Sequence, residues 1–249
     1  MSLIDLIKNR PGLGYRRDTT DSRDLKLAAL GLSAGAPSEA SVLTKPIVIK
    51  NQRSSGSCVG QSVAQAVRIA YQVGNDTSCD DLSALFAYYN SRKEAGEPII
   101  DDGTQIRSAI KAVQKLGVCR ESAWPFVYSL RNKMPSWGAY RDAHDRRGIR
   151  GYYRIEDGDV DGIRLALSNK LPVVAGWAVN EAFRAFRGAG FIGAQEPPYI
   201  GGHAMVIGAY SAIDWVIVNS WGATWGEKGF ARVTTPFIRQ ATDVWAINV

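Results

Sequence analysis

The chain has 249 residues, a net charge of +6, 45% apolar residues and 22% charged residues. These values are typical of a globular protein with one large domain or two lobes. Basic residues are scattered in short pairs, without the clustered face of a nucleic-acid-binding protein. No stretch approaches the ~20 apolar residues of a membrane span, and the N-terminal apolar run is too short for a secretory signal. We therefore expect a soluble protein made without a signal peptide, with no nucleic-acid or membrane partner.

The N-terminal region differs in composition from the rest of the chain. Residues 1–45 are rich in Gly, Pro, Ser, Asp and Arg and have little periodicity. This composition predicts an arm that lies over the body, followed by a folded domain over residues 46–249. The arm is either a surface-anchored tail or a short docking or inhibitory segment that touches the cleft.

The first half of the domain has the spacing of helices. Asp80 or Asp81 is available as an N-cap of the second helix, and Gly117 follows the third where a C′ glycine belongs. The apolar faces are Val59, Val63, Ala66, Val67 and Ala70 after Cys58; Leu82, Leu85, Phe86 and Tyr89; and Ile106, Ala109, Ile110, Val113 and Leu116.

From about residue 150 the pattern changes to short apolar runs separated by Gly, Ser, Asp and Pro. A series of short strands favours an antiparallel sheet or barrel. The fold class is therefore α+β, with a helical lobe at about 50–135, a β lobe at about 136–249 and a cleft between them. The β lobe is predicted to contain a short helix with Val160, Ile163 and Leu167, and strands at 173–179, 204–210, 215–218, 230–233 and 244–247.

Cys58 is the candidate nucleophile. It follows a Ser/Gly turn and begins a helical pattern, and Gln52 stands six residues before it. The partial positive charge at a helix N-terminus favours the thiolate over the thiol. The alternative is a buried structural cysteine.

The sequence has two histidines that could serve as a base for this thiol. His144 lies in a charged run that is typical of solvated surface. His203 follows two glycines and opens a predicted strand, and Asn219 ends the next strand of a hairpin. The Asn219 amide could then accept a hydrogen bond from one imidazole nitrogen and leave the other facing the thiol.

These elements together resemble the papain-like cysteine peptidases. The resemblance rests on Gln52, the Gly-Ser-Cys58 turn, the Gly-Gly-His203 strand and the run Asn-Ser-Trp-Gly-x-x-Trp-Gly-x-x-Gly-Phe that begins at Asn219. It covers roughly residues 46–249. The family implies a two-lobe fold, a protein or peptide substrate and hydrolysis without a cofactor.

The resemblance also implies a role for each matching residue. Cys58 is the nucleophile, His203 the general base and acid, and Asn219 the group that holds the imidazole. Gln52 and the Cys58 backbone N–H would form the oxyanion hole. Trp221 would shield the His203–Asn219 hydrogen bond, and the substrate-binding residues would be Gly103, Gly176, Gly202 and Ala204.

Some features depart from the family. Ser55 stands where many relatives have a disulfide cysteine, Val59 replaces the usual aromatic residue, and no long helical propeptide precedes the domain. With Cys58 free, Cys79 and Cys119 remain as a pair that could form a disulfide. The small residues around His203 suggest an apolar or small side chain in the main substrate pocket.

Two other functions are compatible with the same residues. A Cys-His acyltransferase would pass the acyl group to an amine instead of water. A catalytically silent scaffold would serve as a binding or assembly module, although it has no physical need of Cys58, His203, Asn219 and Gln52 together. The cysteines and histidines lack the spacing of zinc motifs, and no phosphate-binding loop occurs, so we expect no metal and no nucleotide cofactor.

Overall fold

The computed structural model describes residues 12–32, 35–74, 81–145 and 148–249. The helices are α1 (Cys58–Val73), α2 (Ala84–Glu94), α3 (Ile106–Leu116), α4 (Trp137–Asp145), α5 (Val160–Ser168), α6 (Glu181–Ala185) and α7 (Thr235–Ile238). The strands are β1 (Tyr15–Arg16), β2 (Ala40–Ser41), β3 (Thr104–Gln105), β4 (Gly151–Ile155), β5 (Val173–Asn180), β6 (Phe191–Ile192), β7 (Tyr199–Tyr210), β8 (Trp215–Val218), β9 (Phe230–Val233) and β10 (Thr242–Asn248). Helices thus dominate the first half and strands the second, as the α+β prediction requires.

Helix α1 lies at the centre of the molecule, between α2 and β7. Nearly every one of its side chains is buried, including polar ones such as Gln61 and Gln65. A Cβ on Gly60 would lie 2.6 Å from the carbonyl oxygen of Ala84, so this glycine lets α1 and α2 approach closely. The helix that carries Cys58 is therefore fixed from both lobes.

The N-cap of α2 differs from the prediction. The hydroxyl of Ser83 accepts the backbone N–H of Phe86 at 3.1 Å and caps the helix. Asp81 instead accepts Lys50 Nζ at 2.8 Å, and Asp80 lies outside the described residues. The short Ser83 side chain is the one adjacent to the free N–H groups, which is why it caps the helix. Gly117 directly follows α3 with φ 73°, as predicted.

The second half forms one large sheet in the order β4-β10-β5-β7-β8-β9-β6, with β2 paired to β7. Its pairings are antiparallel except that of β6 with β9. Three tryptophans, Trp177, Trp215 and Trp245, are fully buried against this sheet. The sheet therefore has its own aromatic core.

Strand β7 begins earlier than predicted. It starts at Tyr199, so His203 lies inside the strand, opposite Trp177, rather than at its edge. The glycines before it do not interrupt the strand, because Gly201 and Gly202 keep their pairing with β5. Their missing side chains leave room on the cleft side instead, where Leu13 and Tyr15 lie. Strand β4 and helix α4 are further elements that the periodicity did not predict.

Residues 18–32, the anchor segment, attach the N-terminal arm to the body through side chains. Trp245 Nε1 donates to Asp18 Oδ2 at 2.9 Å, and Arg107 pairs with Asp24 at 2.8 Å. Leu27 is buried in the common core, and the backbone of its neighbour Lys26 forms an isolated parallel β-bridge with that of Arg154 in β4. The anchor segment is therefore integrated into the fold.

In the part of the chain that the structure describes, no helix is both long and apolar enough to span a bilayer.

Candidate active site

Cys58 is the first residue of α1, and its side chain is fully buried. The turn before it is closed by the Ser55 backbone N–H and hydroxyl, which donate to the Gln52 carbonyl at 3.1 and 2.8 Å. The Ser55 hydroxyl also lies 2.7 Å from that of Ser57. Hydrogen bonds thus hold this turn and place the thiol at the start of the helix, where free N–H groups point at it.

His203 and Asn219 meet where β7 and β8 lie side by side. Imidazole Nε2 lies 2.7 Å from the Asn219 side-chain oxygen, and both residues are buried. Trp221 stacks on the imidazole with 4.3 Å between ring centroids, so it covers this hydrogen bond. Imidazole Nδ1 has no hydrogen-bond partner among the described residues. One nitrogen is therefore fixed and the other is left available.

Contacts across the cleft bring the thiol close to the histidine strand. The backbone of Ala204, the residue after His203, lies close enough to the Cys58 thiol to lower its pKa. The Ser62 hydroxyl, one turn further along α1, donates to the Ala204 carbonyl at 2.8 Å. The first turn of α1 is therefore tied to β7 at the position of the histidine.

Gln52 is held by the loop that follows Asn219. Its side-chain oxygen accepts the Ser220 hydroxyl at 2.6 Å, and its backbone N–H donates to the Ser220 carbonyl at 2.9 Å. Its Nε2 donates to the carbonyls of Ser55 and Gly12, at 2.9 and 3.0 Å. The amide donor of Gln52 therefore meets a peptide carbonyl that belongs to the N-terminal arm.

Residues 12–17 of the arm, the cleft segment, run through the site as a peptide strand. Gly14 donates its N–H to the Gly202 carbonyl at 3.2 Å, and its carbonyl accepts the Thr104 N–H at 2.9 Å. The backbone of Gly14 also lies close enough to the Cys58 thiol to lower its pKa. A Cβ on Gly14 would lie 1.9 Å from the Gly56 carbonyl oxygen, so only glycine fits. The cleft segment thus covers the cysteine.

Tyr15 fills a pocket beside this strand. A Cβ on Gly176 would lie 2.2 Å from the Tyr15 ring, so the ring packs directly on the backbone of β5. The phenol donates to Asp243 Oδ2 at 2.5 Å and lies 2.8 Å from the Thr242 hydroxyl. Burial, followed by the hydrogen bond to Asp243, raises the pKa of Tyr15, which keeps the phenol protonated. A cavity of about 530 Å³ continues past Tyr15 towards Tyr199.

The covered site contains neutral groups. Burial raises the pKa of the Cys58 thiol to about 11, although backbone hydrogen bonds from Ala204 and Gly14 lower it. Burial also lowers the pKa of His203 to about 4, against the opposing effect of its bond to Asn219. With the cleft segment in place, thiol and imidazole are therefore both uncharged near pH 7.

The structure brings the predicted site residues into one region. Those on the catalytic side and along the cleft are Cys58, Gln52, His203, Asn219, Trp221, Ala204, Gly103, Gly176 and Gly202. The residues that the sequence did not indicate come from the arm and from β10: Gly12, Gly14, Tyr15, Thr242 and Asp243. Gly12 and Gly14, which precede Tyr15, are a sequence signal for a segment that passes close to another backbone. Nothing in the sequence shows which backbone that is.

Cys119 is a free, buried thiol, and Cys79, its predicted partner, lies outside the described residues. His144 is exposed on α4, in the charged run where the sequence placed it. Within residues 12–32, 35–74, 81–145 and 148–249, no group of three or more His, Cys, Asp or Glu side chains could hold a metal ion.

Comparison with known proteins gives consistent matches. The model of the papain family of cysteine proteases matches residues 40–241. An uncharacterised peptidase C1-like protein of Acanthamoeba polyphaga mimivirus is 29% identical over 214 residues, which cover 80% of this chain and 68% of the viral protein. Peptidase 1 of the mite Psoroptes ovis is 28% identical over 189 residues, 73% of this chain and 55% of the mite protein. The chain therefore spans just over half the length of that mite relative.

Solved structures match over nearly the whole chain. The crystal structure of xylellain, a cysteine protease from Xylella fastidiosa, has a TM-score of 0.83 and 28% identity and covers 97% of both chains. Digestive procathepsin L 3 of Tenebrio molitor has a TM-score of 0.71 and 18% identity, covering 100% of this chain and 80% of that one, and supports the fold alone. The two-lobe architecture is thus common to all three chains.

Proposed function

The chain belongs to the papain family of cysteine proteases, and we propose that it hydrolyses peptide bonds through a thioester formed on Cys58, in a form that its own arm keeps closed. The observation that carries this proposal is the peptide already seated in the cleft. Its Gly12 carbonyl accepts a hydrogen bond from Gln52 Nε2, and its Gly14 N–H donates to the Gly202 carbonyl. A substrate peptide would use the same backbone donors and acceptors once the arm has left.

In the proposed reaction, Cys58 Sγ attacks the carbonyl carbon of the scissile bond while His203 holds the thiol proton. His203 passes that proton to the leaving amine, which leaves the acyl group on sulfur as a thioester. Water then attacks the thioester with His203 as base, and the acid product and free thiol are released. Asn219 keeps the imidazole oriented throughout, and Trp221 excludes water from their hydrogen bond.

The developing oxyanion needs donors that are fixed before the reaction. Gln52 Nε2 suits this role, because Ser220 holds the other end of the amide and Ser55 helps to orient its donor. We expect Gln52→Ala, in a variant with an open cleft, to lower kcat by about 10²–10³-fold. Gln61, whose side-chain amide donates to the Ser57 hydroxyl at 3.2 Å, serves as the matched control, and Gln61→Ala should retain most of the activity.

The proposal is tested by labelling with an epoxysuccinyl thiol-protease inhibitor and measuring intact mass. The wild-type chain should label slowly, Tyr15→Ala should gain one stoichiometric adduct, and the double variant with Cys58→Ala should gain none. Peptide cleavage by Tyr15→Ala would follow. A folded Tyr15→Ala protein that neither labels nor cleaves peptides would contradict the proposal and favour the silent scaffold. Products that carry an added amine in place of water would favour the acyltransferase.

A further inference from the structure

Asp101 lies in the loop before β3 and is bonded to the turn that carries the nucleophile. Its Oδ1 accepts the Gly56 backbone N–H at 2.8 Å and the Tyr88 phenol at 3.0 Å, and its Oδ2 accepts Arg131 Nε at 2.8 Å. The carboxylate is largely buried, with 15% of the side chain exposed. Because Gly56 lies two residues before Cys58, Asp101 directly restrains the backbone that presents the thiol.

Tyr88 connects the same carboxylate to the loop that binds the peptide in the cleft. Its phenol oxygen accepts the Gly103 N–H at 3.0 Å, and the next N–H, that of Thr104, donates to the Gly14 carbonyl at 2.9 Å. Burial, followed by the charge of Asp101, raises the pKa of Tyr88. The phenol therefore stays protonated and donates to Asp101, while its oxygen accepts from Gly103.

The turn and the loop lie against each other without an intervening side chain. A Cβ on Gly56 would lie 2.9 Å from the Gly103 nitrogen and 3.2 Å from the Tyr88 phenol oxygen, so a larger residue would displace one of the two backbones. Residues 52–57 contain no cysteine, so no disulfide ties this turn to another segment. The hydrogen bonds of Asp101 and Tyr88 therefore fix the spacing between the turn and the loop.

This spacing determines where the thiol lies relative to a bound peptide. Cys58 is carried by the turn, whereas the peptide backbone is held by the Thr104 N–H of the loop. Reacting atoms must lie about 3–3.5 Å apart, and a displacement of about 1 Å can lower the rate by about 100-fold. A residue that sets this distance is therefore important for the reaction even without touching the substrate.

We propose that Asp101 is a positioning residue of the peptidase, which keeps Cys58 aligned with a peptide bound along residues 103–104. This inference rests on the proposed function. Asp101 acts through the Gly56 N–H and, by way of Tyr88, through the Gly103 N–H.

The test measures kcat and KM for peptide cleavage in the full-length Tyr15→Ala background, at a temperature well below the lowest Tm of the set. Asp101→Ala should lower kcat/KM by about 100-fold, mostly through kcat, because the thiol is displaced from the bound peptide. Asp101→Asn should lower it by only about fivefold, because the amide oxygen still accepts from Gly56 and Tyr88 and one hydrogen bond, to Arg131, is lost.

Two results would overturn the inference. Equal losses in Asp101→Ala and Asp101→Asn would mean that the negative charge matters and the connection between turn and loop does not. A lower Tm with unchanged kcat/KM in Asp101→Ala would mean that the residue serves stability alone.

Asp159→Ala is the matched control. Asp159 also accepts a glycine backbone N–H, that of Gly162 at 2.9 Å, but it does so at the start of α5. This variant should lower the Tm and leave kcat/KM unchanged. Tyr88→Phe removes the second half of the connection and should mainly raise KM, and its loss should not add fully to that of Asp101→Ala, because the two residues act as one unit.

Hydrogen exchange of the Gly56 and Gly103 backbone N–H groups, measured by NMR, gives a readout that does not depend on catalysis. Both should exchange about tenfold faster in Asp101→Ala and at unchanged rates in Asp159→Ala. Unchanged exchange of Gly103 in Asp101→Ala would contradict the connection. Absence of labelling and cleavage by Tyr15→Ala would count against the proposed function, while the exchange rates would still decide whether Asp101 joins the turn to the loop.

Discussion

The two parts of the N-terminal arm are attached in different ways. The cleft segment, residues 12–17, makes backbone hydrogen bonds to Gly202 and Thr104, which any extended peptide could replace. The anchor segment, residues 18–32, is held by buried side chains such as Asp18 and Asp24, which a substrate cannot reproduce. The comparison indicates that the cleft segment can leave while the anchor segment stays. Tyr15 is the exception within the cleft segment, because its side chain is specifically bound.

The largest effect on stability is expected in the anchor segment, for Arg107→Ala. Arg107 is nearly buried against Asp24 and also donates to the Thr19 carbonyl at 2.5 Å. Its removal leaves a buried carboxylate unpaired, at a cost of about 3–5 kcal/mol. For a chain of this size the Tm should fall by about 10 °C in thermal unfolding followed by circular dichroism.

The control for this variant is Arg23→Ala. Arg23 pairs with Asp21 at the surface, and its side chain is 85% exposed, so the Tm should not change measurably. Equal changes for the two variants would show that the anchor segment does not depend on its buried ion pair.

In the cleft segment, Tyr15→Ala should accelerate labelling of Cys58 by about 100-fold. Loss of the ring and its hydrogen bonds costs roughly 3 kcal/mol of docking free energy, which shifts the equilibrium towards the open cleft. The labelling rate is measured by intact mass under identical inhibitor concentrations. An unchanged rate would mean that Tyr15 does not control access to the thiol.

The boundary between the two segments should respond to pH. Burial, together with the charge of Asp243, raises the pKa of Asp18 from 3.8 to about 6. The folded form therefore binds this proton more tightly than the unfolded form. The contribution of Asp18 to the free energy of unfolding is therefore fully present below about pH 4. It is lost as the pH rises to about 6, and the loss is at most about 3 kcal/mol.

Asp18→Asn removes this titration. The Tm of the wild-type chain should fall relative to that of Asp18→Asn between pH 4 and 6, and the difference should be constant above pH 6.5. The other groups that face Asp18 are unchanged in both proteins: Asp243, Arg107, Arg154, Trp245 and Tyr15. A difference that is constant across the whole range would contradict the assignment.

The smallest effect is expected for Tyr15→Phe, which keeps the ring and loses only the hydroxyl. One hydrogen bond is worth about 1 kcal/mol, so labelling of Cys58 should increase by about fivefold. Tyr210→Phe is the matched control, because its buried phenol donates to the Pro37 carbonyl at 2.9 Å away from the cleft. That variant should leave the labelling rate unchanged, and equal acceleration in both would indicate general loosening of the fold.

The sequence alone predicted the elements that depend on local patterns. The helix that begins at Cys58, the strand that ends before Asn219 and the α+β class follow from periodicity and from residues with specific backbone preferences. The motif around Asn219 indicated the family, and the structure places His203 within hydrogen-bond distance of that residue. Such features can be predicted because each depends on residues that are close together in the chain or on a specific sequence motif.

Only the tertiary structure decided what lies in the cleft and at the end of its pocket. Tyr15 and Asp243 are 228 positions apart, and neither lies in a pattern that relates it to the other. The glycines before His203 suggested that the strand begins at the histidine, whereas they lie within the strand and make room for a second backbone. Close approach of distant backbones and burial of a charge are properties of packing, and a local sequence pattern does not specify them.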